Sequence, residues 1–306
     1  MNGTTHTTPP RPVDVTALLP DLAPLARPAI RLHPRPGSPS PYDGSIGGPL
    51  LWPADHPWPY CTMWHESTGD RGWDERPGFP LVPVAQLYAR DVPLLRSPGG
   101  ADLLQVLWCP FEHAPEYKPP TALYWRTAAE VTDILAAPPE PSEVRYACYL
   151  PKPCVLAPEQ ITEYPNFLEL SEDLRQRLAD WDRWQAAGVA VDDSYAVAPE
   201  EFYMDELSHA PGWKVGGWAP WGLTDPIARF CIACGARMSP LLTIPSCEWD
   251  DSGLGWIPQE DRAAAEAGES GDMANPTGVQ ISRGNNLQLY ACPEATQWHP
   301  HTDLIQ

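Results

Sequence analysis

The hydrophobic positions of the chain form short aliphatic runs that proline, glycine or charged residues interrupt. Runs of this length and composition are typical of β-strands. They predict strands at residues 81–87, 103–108, 144–150, 241–244, 278–282 and 286–291. The chain also contains 40 prolines, which disfavour long helices and long central strands. We therefore expect short strands connected by ordered loops.

Helical spacing of apolar residues is confined to a few segments. Ser171 is a predicted N-cap, because two acidic residues and then Leu174 follow it. Apolar residues on one face predict a helix near 171–186, and Gly188 should end it. Shorter helices are expected within 13–27 and 199–207, and a helical segment or loop within 250–275.

One set of motifs occurs twice in the same order, which indicates a diverged internal duplication. The matched motifs are Gly47-Gly48 with Trp52, Gly216-Gly217 with Trp221, and the segments 104–110 (LQVLWCP) and 287–293 (LQLYACP). The predicted organisation is a Pro-rich N-terminal arm at 1–44, a first repeat at 45–126, a connecting insert at 127–213 and a second repeat at 214–306. The arm is expected either to be loose or to lie across the fold.

The chain is strongly acidic, with 40 acidic against 20 basic residues and a formal net charge of −20. This charge repels a phosphate backbone, so a basic protein segment is a better expected partner than nucleic acid. The alternative is that the acidity only keeps the chain soluble. No apolar stretch has the length of a membrane span, and residues 1–10 lack the apolar region of a secretory signal. We therefore expect a cytoplasmic protein without a membrane partner, in an oligomeric state that the sequence leaves open.

The first repeat contains two Cys residues that are each followed four residues later by a His. These pairs are Cys61 with His65 and Cys109 with His113. Two thiolates and two imidazoles form a complete tetrahedral ligand set for zinc, which would be structural here. The alternative is a buried Cys109 with both histidines in solvent.

The second repeat contains a Cys-x-x-Cys knuckle and a third Cys at the position that corresponds to Cys109. The candidate ligands are Cys231, Cys234 and Cys292. His299, His301 or Cys247 could supply the fourth ligand. The alternative is that this site has decayed and that the three thiols are core residues.

No catalytic signature is present in the sequence. Both Gly-Gly motifs lack the Lys-Ser/Thr of a phosphate-binding loop, and no Gly-x-Ser-x-Gly elbow occurs. Several tryptophans cluster around the Gly-Gly motifs, and they are expected either to be core residues or to line a groove for a peptide. The candidates for a partner surface are Trp52, Trp58, Trp221 and Trp249.

Together, these motifs resemble the YwqG-like bacterial family and, more distantly, the eukaryotic programmed-cell-death protein 2 family. The similarity covers residues 30–126 and 214–306, and it rests on the Gly-Gly-x-x-x-Trp motif, the Cys-x-x-Cys knuckle and the Leu-Gln strand. It implies an α+β, mainly antiparallel β fold: an internally duplicated pseudo-two-fold domain pair with a partly helical insert. The sequence departs from the family pattern at Ser246, where a Gln is expected, and at Ala295, where a zinc-binding Cys is expected.

The resemblance also implies a kind of function, because the eukaryotic relatives are chaperones that shield a basic ribosomal protein. Bacterial members are linked to interaction or immunity roles. With the charge and the tryptophans, this favours a non-enzymatic protein-binding module, a chaperone or holdase for a basic partner. The alternatives are an immunity-type protein that neutralises a toxin, and an enzyme with a pocket between the two repeats.

Overall fold

The computed structural model describes residues 6–63, 65, 78–189, 198–268, 271–294 and 298–306. Across these residues the chain is α+β, and its paired strands are antiparallel, as the resemblance implies. Two six-stranded sheets and one two-stranded pair carry the described strands. All eight cysteines are free thiols.

Sheet I contains the first Gly-Gly motif, and sheet II contains the second. The order in sheet I is β2 (Arg35–Pro36), β9 (Cys154–Val155), β3 (Ser45–Ile46), β6 (Val82–Tyr88), β7 (Leu103–Trp108) and β8 (Thr121–Arg126). The order in sheet II is β10 (Glu159–Glu163), β1 (Arg27–Arg31), β11 (Lys214–Gly216), β12 (Ser239–Ile244), β13 (Leu287–Ala291) and β14 (Thr302–Ile305). The strands β4 (Tyr60–Cys61) and β5 (Phe79–Pro80) pair separately. Segments of the predicted arm and insert thus supply strands to both sheets.

The helices are short, as the proline content predicts. They are α1 (Val15–Leu18), α2 (Glu172–Leu178), α3 (Trp181–Ala186), α4 (Pro199–Phe202) with a π-helical turn at Tyr203–Ser208, α5 (Arg262–Glu266) and α6 (Gly271–Ala274). Ser171 caps α2 as predicted, since its side chain accepts a hydrogen bond from the Leu174 backbone N–H. Within the described ranges, no helix combines the length and the apolar character needed to cross a bilayer.

Four of the six predicted strands are confirmed, and two predictions are wrong. Residues 144–150 contain the 3₁₀ turn Ala147–Tyr149 instead of a strand. Residues 278–282 do not form a strand, because Gly278 and Ser282 both have positive φ and bend the chain on either side of Ile281. Ile281 makes only an isolated bridge to Asn285. Both segments are rich in aliphatic residues, which is why strands were predicted there, but turns of the backbone determine their conformation.

The two sheets share register details as well as the order of their last four strands. Across β3, β6 and β7, the aligned residues are Ser45, Gln86 and Gln105; across β11, β12 and β13 they are Lys214, Thr243 and Gln288. A register irregularity lies between Pro83 and Ala85 in β6, and another lies between Pro240 and Leu242 in β12. The irregularity in β6 precedes Gln86 by the same number of residues as the irregularity in β12 precedes Thr243, so the two occupy equivalent places in their sheets.

This register identifies the residue of sheet II that is equivalent to Gln86. Thr243, and not Ser246, occupies in sheet II the register position that Gln86 occupies in sheet I. The Thr243 hydroxyl donates to Gln288 Oε1 at 2.7 Å, whereas Ser246 lies beyond β12 and donates to the Asn285 carbonyl at 2.6 Å. Ala295, the other departure from the family pattern, lies outside the described residues.

A single hydrophobic core contains side chains from both large sheets. Sheet I contributes Val84 and Leu104, and sheet II contributes Val215 and Leu289, all of them inaccessible or nearly so. The two sheets therefore pack against each other across this core. A second core joins α1 to α2 and to the segment 199–208, so the helical residues of the arm and the insert pack together.

Candidate metal centres

The first candidate centre lies at one end of sheet I. Cys61 lies in β4, and Cys109 directly follows β7. His113 lies in the turn between β7 and β8, where its N–H donates to the Lys118 carbonyl at 3.1 Å. With His65, these residues place four ligand atoms within 4.8 Å of one another. We call this set (Cys61, His65, Cys109, His113) the first cluster; it is the ligand set that the sequence predicts.

The distances within the first cluster fit a tetrahedral zinc ion. Zinc–sulfur and zinc–nitrogen bond lengths require ligand atoms to lie about 3.3–3.8 Å apart. The Nε2 atom of His113 lies 3.7 Å from Cys61 Sγ and 3.4 Å from Cys109 Sγ. His65 Nε2 lies 3.2 Å from Cys109 Sγ. The first two distances fall within this range and the third is slightly shorter, so these side chains could hold a metal ion such as zinc.

The surroundings of the first cluster favour a neutral His65 and a Cys61 thiolate, whereas the hydrogen bond with Cys61 and burial raise the pKa of Cys109. Burial lowers the pKa of His65, so this imidazole is neutral at neutral pH. Hydrogen bonds from Cys109 and His113 lower the pKa of Cys61 and favour its thiolate, against the opposing effect of burial. Phe79 and Phe111 pack edge-on against the His65 ring, at centroid distances of 4.7 and 4.9 Å, and fix its orientation.

The second candidate centre lies at the corresponding end of sheet II. It consists of Cys231, Cys234, Cys292 and His299, whose ligand atoms also lie within 4.8 Å of one another, and we call it the second cluster. Cys231 Sγ lies 3.4 Å from His299 Nδ1, and Cys234 Sγ lies 3.5 Å from Cys292 Sγ. Both distances also fit tetrahedral zinc, which requires about 3.3–3.8 Å.

His299 is thus the fourth member that the sequence left open among three candidates. His301 lies instead at 2.8 Å from the Thr121 hydroxyl of β8. Cys247 is not part of the cluster. The spacing of seven residues between Cys292 and His299 is longer than that of the other ligand pairs in the chain, so local spacing could not single out this histidine.

The knuckle of the second cluster is a tight turn closed by backbone hydrogen bonds. The Cys231 N–H donates to the Ala236 carbonyl, and the Gly235 N–H donates to the Cys231 carbonyl, both at 2.8 Å. Gly235 has a φ of 74°, which a side chain would disfavour. The Cys-x-x-Cys-Gly sequence therefore orients both thiols toward the same point.

Four of the five cysteines in the two clusters share a backbone feature: the sulfur accepts a hydrogen bond from the N–H two residues further along. The donors are Met63 to Cys61, Phe111 to Cys109, Ala233 to Cys231 and Glu294 to Cys292. These donors stabilise negative charge on sulfur, as a metal-bound thiolate requires. Cys148, Cys154 and Cys247 lie outside both clusters. Burial raises the pKa of each of these three thiols.

The predicted partner-binding tryptophans occupy different environments. Trp52 is 1 % exposed and packs in the same apolar group as Cys61 and Cys109. Trp221 packs, half-buried, against the group that contains Cys231 and Cys292. Each Gly-Gly-x-x-x-Trp motif therefore places its tryptophan against the metal cluster of its own half.

The remaining two tryptophans also make internal contacts. The Trp58 indole N–H donates to the Leu81 carbonyl at 2.9 Å. Trp249 is only 4 % exposed. In this conformation, Trp52 and Trp249 are core residues, and only the half-buried Trp58 and Trp221 have surface that a partner could reach.

A separate cavity of about 670 Å³ lies where the segment 33–44 meets the ends of β6 and β9. His33 Nε2, in its wall, lies 3.1 Å from Glu159 Oε2, and burial lowers the pKa of His33 to about 4. Arg35 in the same wall is paired with Asp261. His33 is itself fully buried, so its ring is shielded from the solvent in the cavity.

Sequence reasoning missed a set of fully buried ionic groups in sheet II. Lys214 Nζ donates to Glu163 Oε1 at 2.7 Å, and both side chains are inaccessible. Glu163 Oε2 accepts the Trp218 N–H at 2.9 Å, and a Cβ on Gly217 would clash with this carboxylate. The second Gly-Gly motif therefore allows the buried Glu163 carboxylate to approach the backbone. No local pattern in the sequence predicts this interaction.

No protein-family model matches the chain, and the search of curated proteins found no match. The similarity to the YwqG-like and programmed-cell-death protein 2 families therefore stays a prediction that rests on motifs alone.

Proposed function

We propose that this chain is a non-enzymatic protein-binding module whose fold is stabilised by two structural zinc ions. The observation that carries this proposal is the presence of four protein ligands in each cluster. Four ligands complete the tetrahedral coordination of zinc and leave no open position for a substrate or an activated water. The zinc ions would act by cross-linking each half of the fold.

The positions of the clusters support a structural role. The first cluster ties the β4 strand to the turn that follows β7, and the second ties the knuckle at 231–234 to the segment that follows β13. Their ligands are distant along the chain, so a bound metal would constrain long loops in the unfolded state. In a chain of short strands, this contribution replaces part of the stability that longer sheets would supply.

We further infer that the two halves arose by duplication. The matched strand order, the aligned register and the irregularities at Pro83 and Pro240 support this inference. Irregularities of this kind persist in families as parts of a fold. A tryptophan packed against a Cys/His cluster in each half supports the same history.

A basic protein segment is the partner that the charge favours. A net charge of −20 accelerates the encounter with a cationic partner and disfavours nucleic acid. A chaperone or holdase for such a segment agrees with the function implied by the family resemblance. The proposal places this activity in the cytoplasm.

Ligand binding in the cavity beside His33 is the second candidate function. The cavity volume of about 670 Å³ is in the range of small-molecule sites. Two of its charged groups are in ion pairs, however: Arg35 with Asp261, and Arg90 with Asp91. Side chains paired in this way are already neutralised, so this candidate ranks below protein binding.

The deciding experiment is native mass spectrometry of the chain purified from its host without chelator. We expect two zinc ions per chain and a co-purified protein with basic segments. A chain that carries a tightly bound small molecule and no protein partner would overturn the protein-binding proposal and favour the cavity. A metal-free chain would overturn the zinc proposal on its own.

A further inference from the structure

Strand β8 is an open edge of sheet I. It ends the strand order of this sheet and pairs only with β7. With six residues, it is the longest of the four edge strands of the two large sheets. An unpaired edge of this length presents backbone donors and acceptors that can receive another strand.

The hydrogen-bond pattern identifies which backbone groups of β8 face outward. The Cys109 N–H donates to the Pro120 carbonyl at 3.0 Å, so these two residues form a hydrogen-bonded pair. Because such pairs alternate in an antiparallel ladder, Ala122 and Tyr124 also bond to β7. The N–H and C=O groups of Leu123 and Trp125 therefore face away from the sheet, and within the described residues no backbone hydrogen bond joins them to another element.

A groove of about 690 Å³ runs along this edge. Five consecutive residues of β8 line it, from Thr121 to Trp125. Successive side chains of a strand point to opposite faces of the sheet, so a depression on one face would be lined by alternate residues only. The Leu123 and Trp125 side chains indeed contact one core, and Ala122 and Tyr124 contact another. The groove therefore follows the backbone edge itself.

The opposite wall of the groove carries Trp298, the most exposed tryptophan among the described residues. Its side chain is 58 % exposed. It is adjacent in sequence to His299 of the second cluster, so a metal bound there would restrain the backbone next to this residue. The Thr121 hydroxyl, which donates to Asp303 Oδ2 at 2.7 Å, joins the start of β8 to β14 and closes that end of the groove.

We propose that the partner docks here by adding an extended segment to the β8 edge, with an apolar side chain against Trp298. The Leu123 and Trp125 backbone groups supply the hydrogen bonds, and the groove selects the side chains at alternate positions. The net charge of −20 on the whole chain favours basic residues in the remaining positions of the segment. This inference rests on the proposed protein-binding function and names its surface.

The test begins with a displayed library of short linear peptides selected against the full chain. We expect the selected peptides to contain basic residues that alternate with apolar residues. Trp298→Ala should weaken their binding by about tenfold or more, as for an aromatic anchor of an interface. Phe230→Ala is the matched control, because Phe230 is also 58 % exposed but lies outside the groove, and it should leave the affinity unchanged.

Two further readouts separate strand addition from other modes of binding. Bound peptide should slow amide exchange at Leu123 and Trp125 but not at Ala122 and Tyr124, which are already bonded to β7. Only one edge of an added strand faces β8, so the peptide amides at either the odd or the even positions bond to it. N-methylation of that set of amides should abolish binding, and N-methylation of the other set should leave binding intact.

The outcomes also separate this inference from the proposed function. Binding that Trp298→Ala leaves intact, or that produces no protection at Leu123 and Trp125, would overturn docking at β8 while protein binding stands. A library that yields no binder would likewise overturn it. The proposed function falls separately, if the chain purified from its host carries no protein partner.

Discussion

Sheets I and II share their strand order and register, yet they bury different polar groups at equivalent positions. In sheet I, Ser45, Gln86 and Gln105 are buried and uncharged. The Gln86 and Gln105 amides bond to each other at 2.9 Å, and both bond to the Leu51 backbone of the Gly-Gly-x-x-x-Trp loop. These two glutamines are neutral and do not titrate, although the charged Arg126 guanidinium also donates to Gln105 Oε1, at 2.8 Å.

Sheet II replaces this neutral network with buried charges. Lys214 stands where sheet I has Ser45, and its ammonium pairs with Glu163. Arg31 and Glu248 are also buried, and Arg31 donates to the Trp256 carbonyl at 2.9 Å. The same strand arrangement therefore supports a neutral interior in one half and an ionic interior in the other, and only the ionic one makes stability sensitive to pH and to single charge deletions.

The two candidate metal clusters differ in how well their ligands are shielded from solvent. The first cluster is the more enclosed, with three buried ligands, whereas Cys234 of the second cluster is exposed. The half with the neutral interior thus has the more protected candidate zinc site. The difference predicts that the first cluster serves mainly the stability of the fold and that the second lies within reach of solvent and partners.

Loss of the first cluster should have the largest effect on stability. Cys109→Ser removes the ligand nearest to both histidines and should reduce the zinc content from two ions per chain to one. Zinc binding contributes strongly to folding in small zinc domains, so we expect a loss on the order of 5 kcal/mol or more in the free energy of unfolding. Elemental analysis and urea unfolding would measure both effects. Cys148→Ser is the control, and two zinc ions retained in Cys109→Ser would contradict the prediction.

The buried ion pair gives the next effect. Lys214→Met leaves the Glu163 carboxylate buried without its cation, which should cost about 3–5 kcal/mol. Ser45→Ala, at the equivalent place in sheet I, should change stability by less than about 1 kcal/mol, because the Ser45 hydroxyl has no hydrogen-bond partner among the described residues. Urea unfolding compares the two variants. Equal losses would show that the two interiors are energetically alike.

The sequence predicted the two Leu-Gln strands and the residues of the first cluster because both depend on local patterns. Gly-Gly motifs, a Leu-Gln strand and two Cys-x-x-x-His pairs each lie within a few residues. Strands β1, β9 and β10 were not predicted, since Pro28 interrupts the first, β9 has only two residues, and β10 alternates polar with less polar residues. Their places in the sheets depend on partners distant along the chain.

The same limit applies to the unpredicted parts of the candidate sites. His299 joins the second cluster through the path of the chain after Cys292, and Lys214 meets Glu163 only once β1 lies between β10 and β11. Trp52 and Trp249 are core residues because they are buried. Their burial depends on the packing of the whole fold, so the sequence could not distinguish core residues from residues that line a groove. Local chemistry can nominate such residues, but tertiary structure selects among them.

One contribution to the pH dependence of stability should come from Glu248 in the ionic half. Burial raises the pKa of Glu248 from its ordinary 4.5 to about 7, with Arg31 acting in the opposite direction. A raised carboxyl pKa favours the protonated folded state, so this contribution is complete below pH 4.5 and is lost as pH rises toward 7. The difference corresponds to about 3 kcal/mol.

The variant Glu248→Gln tests this assignment. It keeps an oxygen for the Trp213 N–H, which Glu248 accepts at 3.1 Å, and removes the titration. Between pH 4.5 and about 7, the variant should lose about 3 kcal/mol less stability than the wild type. Comparison with the exposed control Glu130→Gln cancels effects of pH on metal binding. Identical pH slopes for Glu248→Gln and the wild type would exclude Glu248 as the source.

The smallest effect on stability, and the most direct test of the difference between the clusters, concerns the exposed thiol. Cys234 is the only exposed ligand of the two clusters, so a chelator should remove zinc from the second cluster first and produce two kinetic phases. Cys234→Ser should eliminate the fast phase, leave the slow phase unchanged and cost no more than about 2 kcal/mol, because solvent already reaches this ligand. Cys247→Ser should leave both phases intact. If Cys109→Ser instead removes the fast phase, the first cluster is the labile one, and the division between a structural cluster and a surface cluster is wrong.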